Sequence, residues 1–294
     1  MDQTQKRAAL LALLAAALYA LSTPFSKLLL EHIPAAMMAA FLYLGAGAGL
    51  FLIRAAAGIS AKTKKGKPLT RKELPYLIGM VCLDIAAPIF MMIGLSAATA
   101  ANASLLSSFE IAATALIALL LFREAISKRL WLAIALVTVS SAILSFEGGS
   151  SFSFSIGSAF VLLACVCWGF ENNCTRMLSS NDPIDIVVIK GFGSGLGSLL
   201  TAFVLGERLP DIGFILLALL LGFAAYGLSI SFYIRAQRDL GAAKTSTYYA
   251  AAPFISSGLS LLIFGQKPSL SYFVALAILI AGTYFAATDG RKEA

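Results

Sequence analysis

Histidine occurs once in this sequence, at His32, and that scarcity removes whole classes of chemistry. A single imidazole cannot build a multi-histidine metal centre, and no H-E-x-x-H pair exists. No G-x-S-x-G elbow and no phosphate-cradling G-x-x-x-x-G-K-[S/T] loop appears, so neither a hydrolase nucleophile of that type nor an ATP-driven motor is written in the chain. Cysteine is nearly as rare: Cys82, Cys165, Cys167 and Cys174 all fall in apolar segments. They read as small buried hydrophobes rather than as a disulfide framework or metal ligands. Charge is scarce too. Asp, Glu, Lys and Arg make up 13% of 294 residues, against about 25% in a soluble domain. With 59% hydrophobic residues and a mean hydropathy of +0.87, the chain is too apolar to close around one water-soluble core. It reads as an all-α polytopic membrane protein.

A spanning helix needs about 20 mostly apolar residues. Such runs lie at 8–30, 34–54, 74–97, 100–122, 129–146, 155–178, 184–206, 212–236, 242–264 and 269–288, giving ten spans. Only the connection at 55–73 is long. Ten spans put both termini on one side. Eighteen of the 22 Lys and Arg residues fall on that side, while Lys27, Arg208 and Lys267 fall on the other and Lys190 lies inside the seventh span. This asymmetry predicts a cytoplasmic membrane protein with both termini in the cytoplasm. The formal charge of +7 is then a topology signal and a contact with membrane lipid headgroups, and no nucleic-acid partner is needed to explain it. His32, at the outer end of span one, reads as an interfacial surface residue.

The chain repeats itself. "FREAISKRLWLAIALVTVSSAIL" at 122–144 parallels "FGQKPSLSYFVALAILIAGTYFA" at 264–286, and "LYALSTPFSKLLLEHIP" at 18–34 parallels "CWGFENNCTRMLSSNDP" at 167–183. Residues 1–148 and 149–294 thus form two five-helix repeats. Because five is odd, the second copy must enter the membrane from the opposite face, which makes the repeat inverted. The first span resembles a signal peptide at "LLAAALYA", but its partner in the second half argues against removal.

Two further stretches align at the offset of the first pair, 142 residues: "SFEIAATALIALLLFRE" and "AAPFISSGLSLLIFGQ". Glu110 falls opposite Ala252, Ile111 opposite Pro253, and Glu124 opposite Gln266. Trp168-Gly169 in the second half answers Tyr19-Ala20 in the first. With these motifs in both halves, the chain resembles the EamA-type branch of the drug/metabolite transporter superfamily. The resemblance implies ten helices in two five-helix halves and export of small metabolites, amino acids or toxic organic compounds, often coupled to protons or exchange. It also implies a central cavity to which helices 3, 4, 8 and 9 contribute much, which would bring Asp84, Asn102, Glu110, Tyr226 and Tyr248 near a small-molecule substrate.

Polar groups inside the spans need a reason. Asp84 and Glu110 each lie ten positions into a span, about 15 Å deep at the helical rise, at the midplane of a bilayer core about 30 Å thick. Bare carboxylates there are expensive, and the midplane between repeats is where transporters place substrate and coupling ions. Either acid is a candidate to bind a proton or a cationic group; the structural alternative is a neutral carboxyl clasping a neighbouring helix. Tyr19, Trp168, Tyr226, Tyr248 and Tyr249 also lie well within spans and are candidates to line a cavity. Asn102 equally suits a helix start. Glu171 with Lys190, and Arg176 with Asp185, lie at matched depths on adjacent spans and read as ion pairs, structural or gating. Pro24, Pro88 and Pro253 are expected to kink spans one, three and nine. "GFGSGLGS" (191–198) and "LGAGAGL" (44–50) are small-residue packing faces, since no strand precedes them as a nucleotide fingerprint requires.

The expected function is a secondary transporter of a small organic metabolite, an amino acid or a cationic or zwitterionic solute. Export is expected, by alternating access and with proton coupling, and no cofactor or metal is implied. A membrane-embedded enzyme acting on a lipid or small substrate is the alternative, and a channel a third reading; the sequence leaves the oligomeric state open.

Overall fold

A computed structural model describes residues 3–58, 71–123, 126–147, 153–178, 183–240, 245 and 248–288. The expectations for Glu124 and for most of the 55–73 connection lie outside these residues. Span one is α1 (Gln3–Ala20) followed by α2 (Ser22–Leu29), span two α3 (Ala35–Gly58) and span three α4 (Leu74–Ala97). Span four is α5 (Ala100–Leu106) with α6 (Phe109–Phe122), and span five is α7 (Lys128–Ser145). The second half holds α8 (Ile156–Met177), α9 (Pro183–Val204), α10 (Ile212–Gly222), a π-helical turn at Phe223–Leu228 and α11 (Ser229–Leu240). It ends with α12 (Ala252–Phe264) and α13 (Leu270–Ala287). Among the described residues, nine helical runs are long and apolar enough to cross a membrane, and α12 is a shorter apolar helix in the tenth expected span. A two-residue antiparallel ladder, β1 (Phe146–Glu147) with β2 (Ser153–Phe154), joins the halves, and no sequence pattern announced it.

Local chemistry explains where the helices start and bend. Thr99, Ser155 and Ser269 sit just before α5, α8 and α13 in extended backbone, and each hydroxyl accepts the N–H three residues on. Pro24 has no N–H to give the carbonyl four residues back, and span one breaks just upstream at Leu21. Pro88 is accommodated inside an unbroken α4. Pro253, expected to kink span nine, instead stands in the first turn of α12, where its missing donor costs nothing. Span four bends without proline. At Ser107–Ser108 the backbone stays right-handed, and Glu110 and Ile111 donate to carbonyls only three residues back. α6 and α12 both end in left-handed backbone, at Arg123 (φ 55°) and Gly265 (φ 58°), positions 142 apart.

The halves interlock. α4 packs on α8 and α1 on α11, while α3 packs on α9, α7 on α13 and α5 on α12. In span numbers these pairs are 3–6, 1–8, 2–7, 5–10 and 4–9, a set that maps onto itself when the two halves are exchanged. The small-residue faces do the work expected of them. A Cβ on Gly191 would lie 2.6 Å from the Cα of Gly47, so only glycine lets α9 approach α3 this closely. Gly195 faces Leu44 on α3, while Gly193 and Gly197 turn toward Val81 and Ile85 on α4. The outer surface is a belt of large apolar side chains, among them Leu120, Val204, Leu262 and Leu270. Cys82 is part of that exposed surface, against the expectation that all four thiols are buried.

Candidate functional site

Several of the mid-depth polar residues line one cavity of about 310 Å³. Tyr19, Glu110, Trp168 and Tyr226 line it, as do Glu171 and Lys190. The bend at Ser107–Ser108 brings both serines and Glu110 to the wall. α8 contributes Trp168, Glu171 and Asn172, which follow one another at three- and one-residue steps along its inner face. Tyr226 comes from the π-helical turn, whose extra residue shifts the register of the face that follows.

Behind this wall is a buried charge cluster. Lys190 Nζ lies 3.0 Å from Asp84 Oδ2 and 2.9 Å from Glu171 Oε2. The two acid side chains are 0% and 1% exposed, while Lys190 keeps 20%. Tyr43 donates its hydroxyl to Asp84 Oδ1 at 3.0 Å and accepts the Trp168 indole N–H at 3.4 Å. The Thr175 hydroxyl donates to Glu171 Oε1. The cluster therefore links spans two, three, six and seven through charge-assisted hydrogen bonds, the strong kind. Glu110 stands apart from it: Asn172 donates to its Oε1 at 2.6 Å and also to Thr114 at 3.2 Å.

The expected Glu171–Lys190 pair is present, with Asp84 as a second partner that depth on a single helix did not reveal. Asp84 itself is not on the cavity wall; it is sealed behind Lys190 and Tyr43. The other expected pair is joined differently. Asp185 pairs with Arg54 of α3, and the Arg176 guanidinium lies 5.9 Å from the centre of the Phe122 ring. Asn102 is not at the central cavity. It sits in the first turn of α5, where its N–H is capped by Thr99, and it lines a separate space of about 180 Å³ toward the other end of the span. Tyr248 does not line the cavity, whereas its neighbour Tyr249 does. Adjacent helical residues point about 100° apart, and here the second of the pair takes the inward direction. Tyr43 was missed; a lone tyrosine midway along an apolar span was the available signal. The cavity also draws on Tyr19 of span one, Trp168 of span six and Thr283 of span ten, beyond the four spans the resemblance implied. Among the described residues, no group of three or more His, Cys, Asp or Glu is gathered to hold a metal ion. His32 stacks on Phe214, ring centres 4.2 Å apart, at the rim of the molecule.

Comparison with known proteins bears on this arrangement. The sequence profile of the EamA-like transporter family matches twice, over residues 6–146 and 155–288. A protein named "Uncharacterized transporter" from Methanothermobacter thermautotrophicus is 24% identical over 291 residues, covering 93% of this chain and 84% of its own length. A crystal structure superposes with a TM-score of 0.67 at 18% identity, over 98% of this chain and 99% of that one, and shows the fold.

Proposed function

The chain belongs to the EamA-like transporter family, and we propose that this membrane transporter is a secondary exporter of a small organic metabolite, coupled to protons and working by alternating access in the cytoplasmic membrane. The two profile matches and the exchange-symmetric helix pairings support reading residues 1–148 and 149–294 as inverted copies, with both termini cytoplasmic. The observation that carries the proposal is the central cavity itself. Its volume of about 310 Å³ suits a small molecule. It lies between the repeats at mid-depth, and its wall holds a carboxylate, Glu110, that forms no salt bridge among the described residues. Glu110 is the proton-binding group in this reading, and the Asp84–Lys190–Glu171 cluster is a structural or gating tie between the halves.

Counterflow in liposomes containing the purified chain, screened against a metabolite mixture, tests the proposal. Saturable exchange of at least one solute is expected, driven faster by a pH gradient. Glu110→Gln should lower that rate at least about tenfold with normal expression, because it removes the exchangeable proton and keeps the side-chain shape. Undiminished proton-driven exchange by the variant would sink the coupling role.

A further inference from the structure

The second cavity, of about 180 Å³ on the face opposite the termini, takes no part in the transport reading above. It lies where α4 and α7 end and where α5, α8 and α13 begin. Its wall is made of hydroxyl and amide groups, from Thr99, Asn102, Ser155, Ser158, Ser269 and Ser271. Among its described lining residues there is no Asp, Glu, Lys or Arg. Two long helices, α8 of 22 residues and α13 of 18, bring their first turns to it, with their capping serines Ser155 and Ser269 on the wall. Each helix start carries about half a positive charge. The N–H groups of Ile156, Gly157, Leu270 and Ser271 in those turns have no acceptor among the described residues.

A buried group without a partner singles this space out. Ser158 is 2% exposed, its Oγ is bonded to no described residue, and it borders the cavity. A buried hydroxyl left unpaired costs free energy, so one that opens onto a cavity is a donor ready for an acceptor there. The Asn102 carboxamide likewise makes no bond among the described residues. Lys27 adds a full positive charge at the edge, its Nζ 3.0 Å from the carbonyl oxygen of Ala98, which also borders the cavity. Hydroxyls alone would suit water or a sugar, but donors at two helix starts with no carboxylate beside them favour an anion. The volume falls below the roughly 300 Å³ at which pockets for whole organic ligands begin, so a compact group with several acceptor oxygens fits. We infer that this cavity is a binding site for a phosphate group, free or as the headgroup of a lipid, held by Asn102, Ser158 and Ser271 against the starts of α8 and α13.

Equilibrium dialysis of radiolabelled inorganic phosphate against the purified full-length chain in dodecyl maltoside tests this, with sodium chloride holding the ionic strength constant. One saturable site per chain is expected. Ser271→Asp is the decisive variant. Ser271 is exposed and stands in the first turn of α13, where an acid suits the helix start, so the fold is kept while the new carboxylate repels the anion. It should weaken phosphate binding at least about tenfold. Ser158→Ala, which deletes one hydrogen bond, should weaken it about threefold to tenfold. Both variants should melt at the parent temperature in phosphate-free buffer. Competition with dihexanoylphosphatidylglycerol separates the sources. Displacement by the lipid at a lower concentration than by unlabelled phosphate assigns the site to a headgroup, the reverse order assigns it to free phosphate, and either order supports the site. Absence of saturable binding for phosphate and lipid alike overturns the assignment. So does binding that Ser271→Asp leaves unchanged, which would put the anion elsewhere, and so does displacement by methyl α-glucoside as effective as by phosphate. Binding is read without transport, so the failure of this inference and the failure of the transporter reading are separate results.

Discussion

Lys190 is the residue on which most of the buried charge depends. Removing one partner from a buried ion cluster leaves the others uncompensated, at a cost of about 3–5 kcal/mol, whereas replacing all partners together is often nearly neutral. Lys190→Met strands Asp84 and Glu171, both almost fully sealed. It should therefore lower the melting temperature in detergent sharply. The triple variant Asp84→Asn, Lys190→Met, Glu171→Gln should regain most of that loss while transport stays impaired. If the triple variant melts no higher than the single one, the cluster's cost is not electrostatic. Depth arithmetic on the sequence found Asp84, Glu110, Glu171 and Lys190, because one residue every 1.5 Å converts position into depth without knowing the fold. It could not find rotation. Asp84 faces a neighbouring helix rather than the cavity, and Tyr249 rather than Tyr248 faces inward, and both outcomes were set by packing between spans distant in sequence.

At the level of elements, the two segments matched by the family profile share features that local sequence does not explain. Span four bends at Ser107–Ser108 with no proline, whereas the matching turn in span nine is followed by Pro253. Ile111 stands where the second copy has that proline, so the bend persists in the half that lacks the residue favouring it. The helix ends correspond in the same way. Gly265 adopts left-handed backbone freely, but Arg123 carries a Cβ into a conformation that costs about 1–2 kcal/mol for an ordinary residue. Arg123→Gly should raise thermal stability by about 1 kcal/mol and Gly265→Ala should lower it by a similar amount. Chemical or thermal melts of the two variants check this, and stability changes of the same sign would refute it. The ten spans were legible because hydropathy and length decide them. The π-helical turn at Phe223–Leu228 was not, since nothing in "FAAYGL" separates it from ordinary helix and tertiary packing alone selects it.

Across the whole molecule, charged contacts tie helix ends together on one face. On the face opposite the termini, the Glu207 carboxylate accepts the N–H groups of Ala36 and Met37 at 3.1 and 2.8 Å, capping the start of α3 from the loop after α9. There too, Lys27 donates to the carbonyls of Leu95, Ser96 and Ala98 at 2.6, 2.9 and 3.0 Å, capping the end of α4 from α2. Each contact places a full charge on the helix end of opposite partial charge. Between this face and the central cavity remains a space of only about 20 Å³, bordered by Ser22, Thr23, Met91 and Met92. A transporter that alternates must release these ties to open that side. Each is worth about 0.5–1 kcal/mol as a cap or charge–dipole contact, so losing both should raise the population open to that face by about tenfold. Thr23→Cys, introduced into a chain whose four native cysteines are replaced, reports the opening through its reaction with a membrane-impermeant thiol reagent added on the side opposite the termini. Adding Glu207→Ala and Lys27→Met should accelerate that reaction by about the same tenfold. Labelling that stays equally slow in the relaxed variant would mean that other contacts hold this face shut.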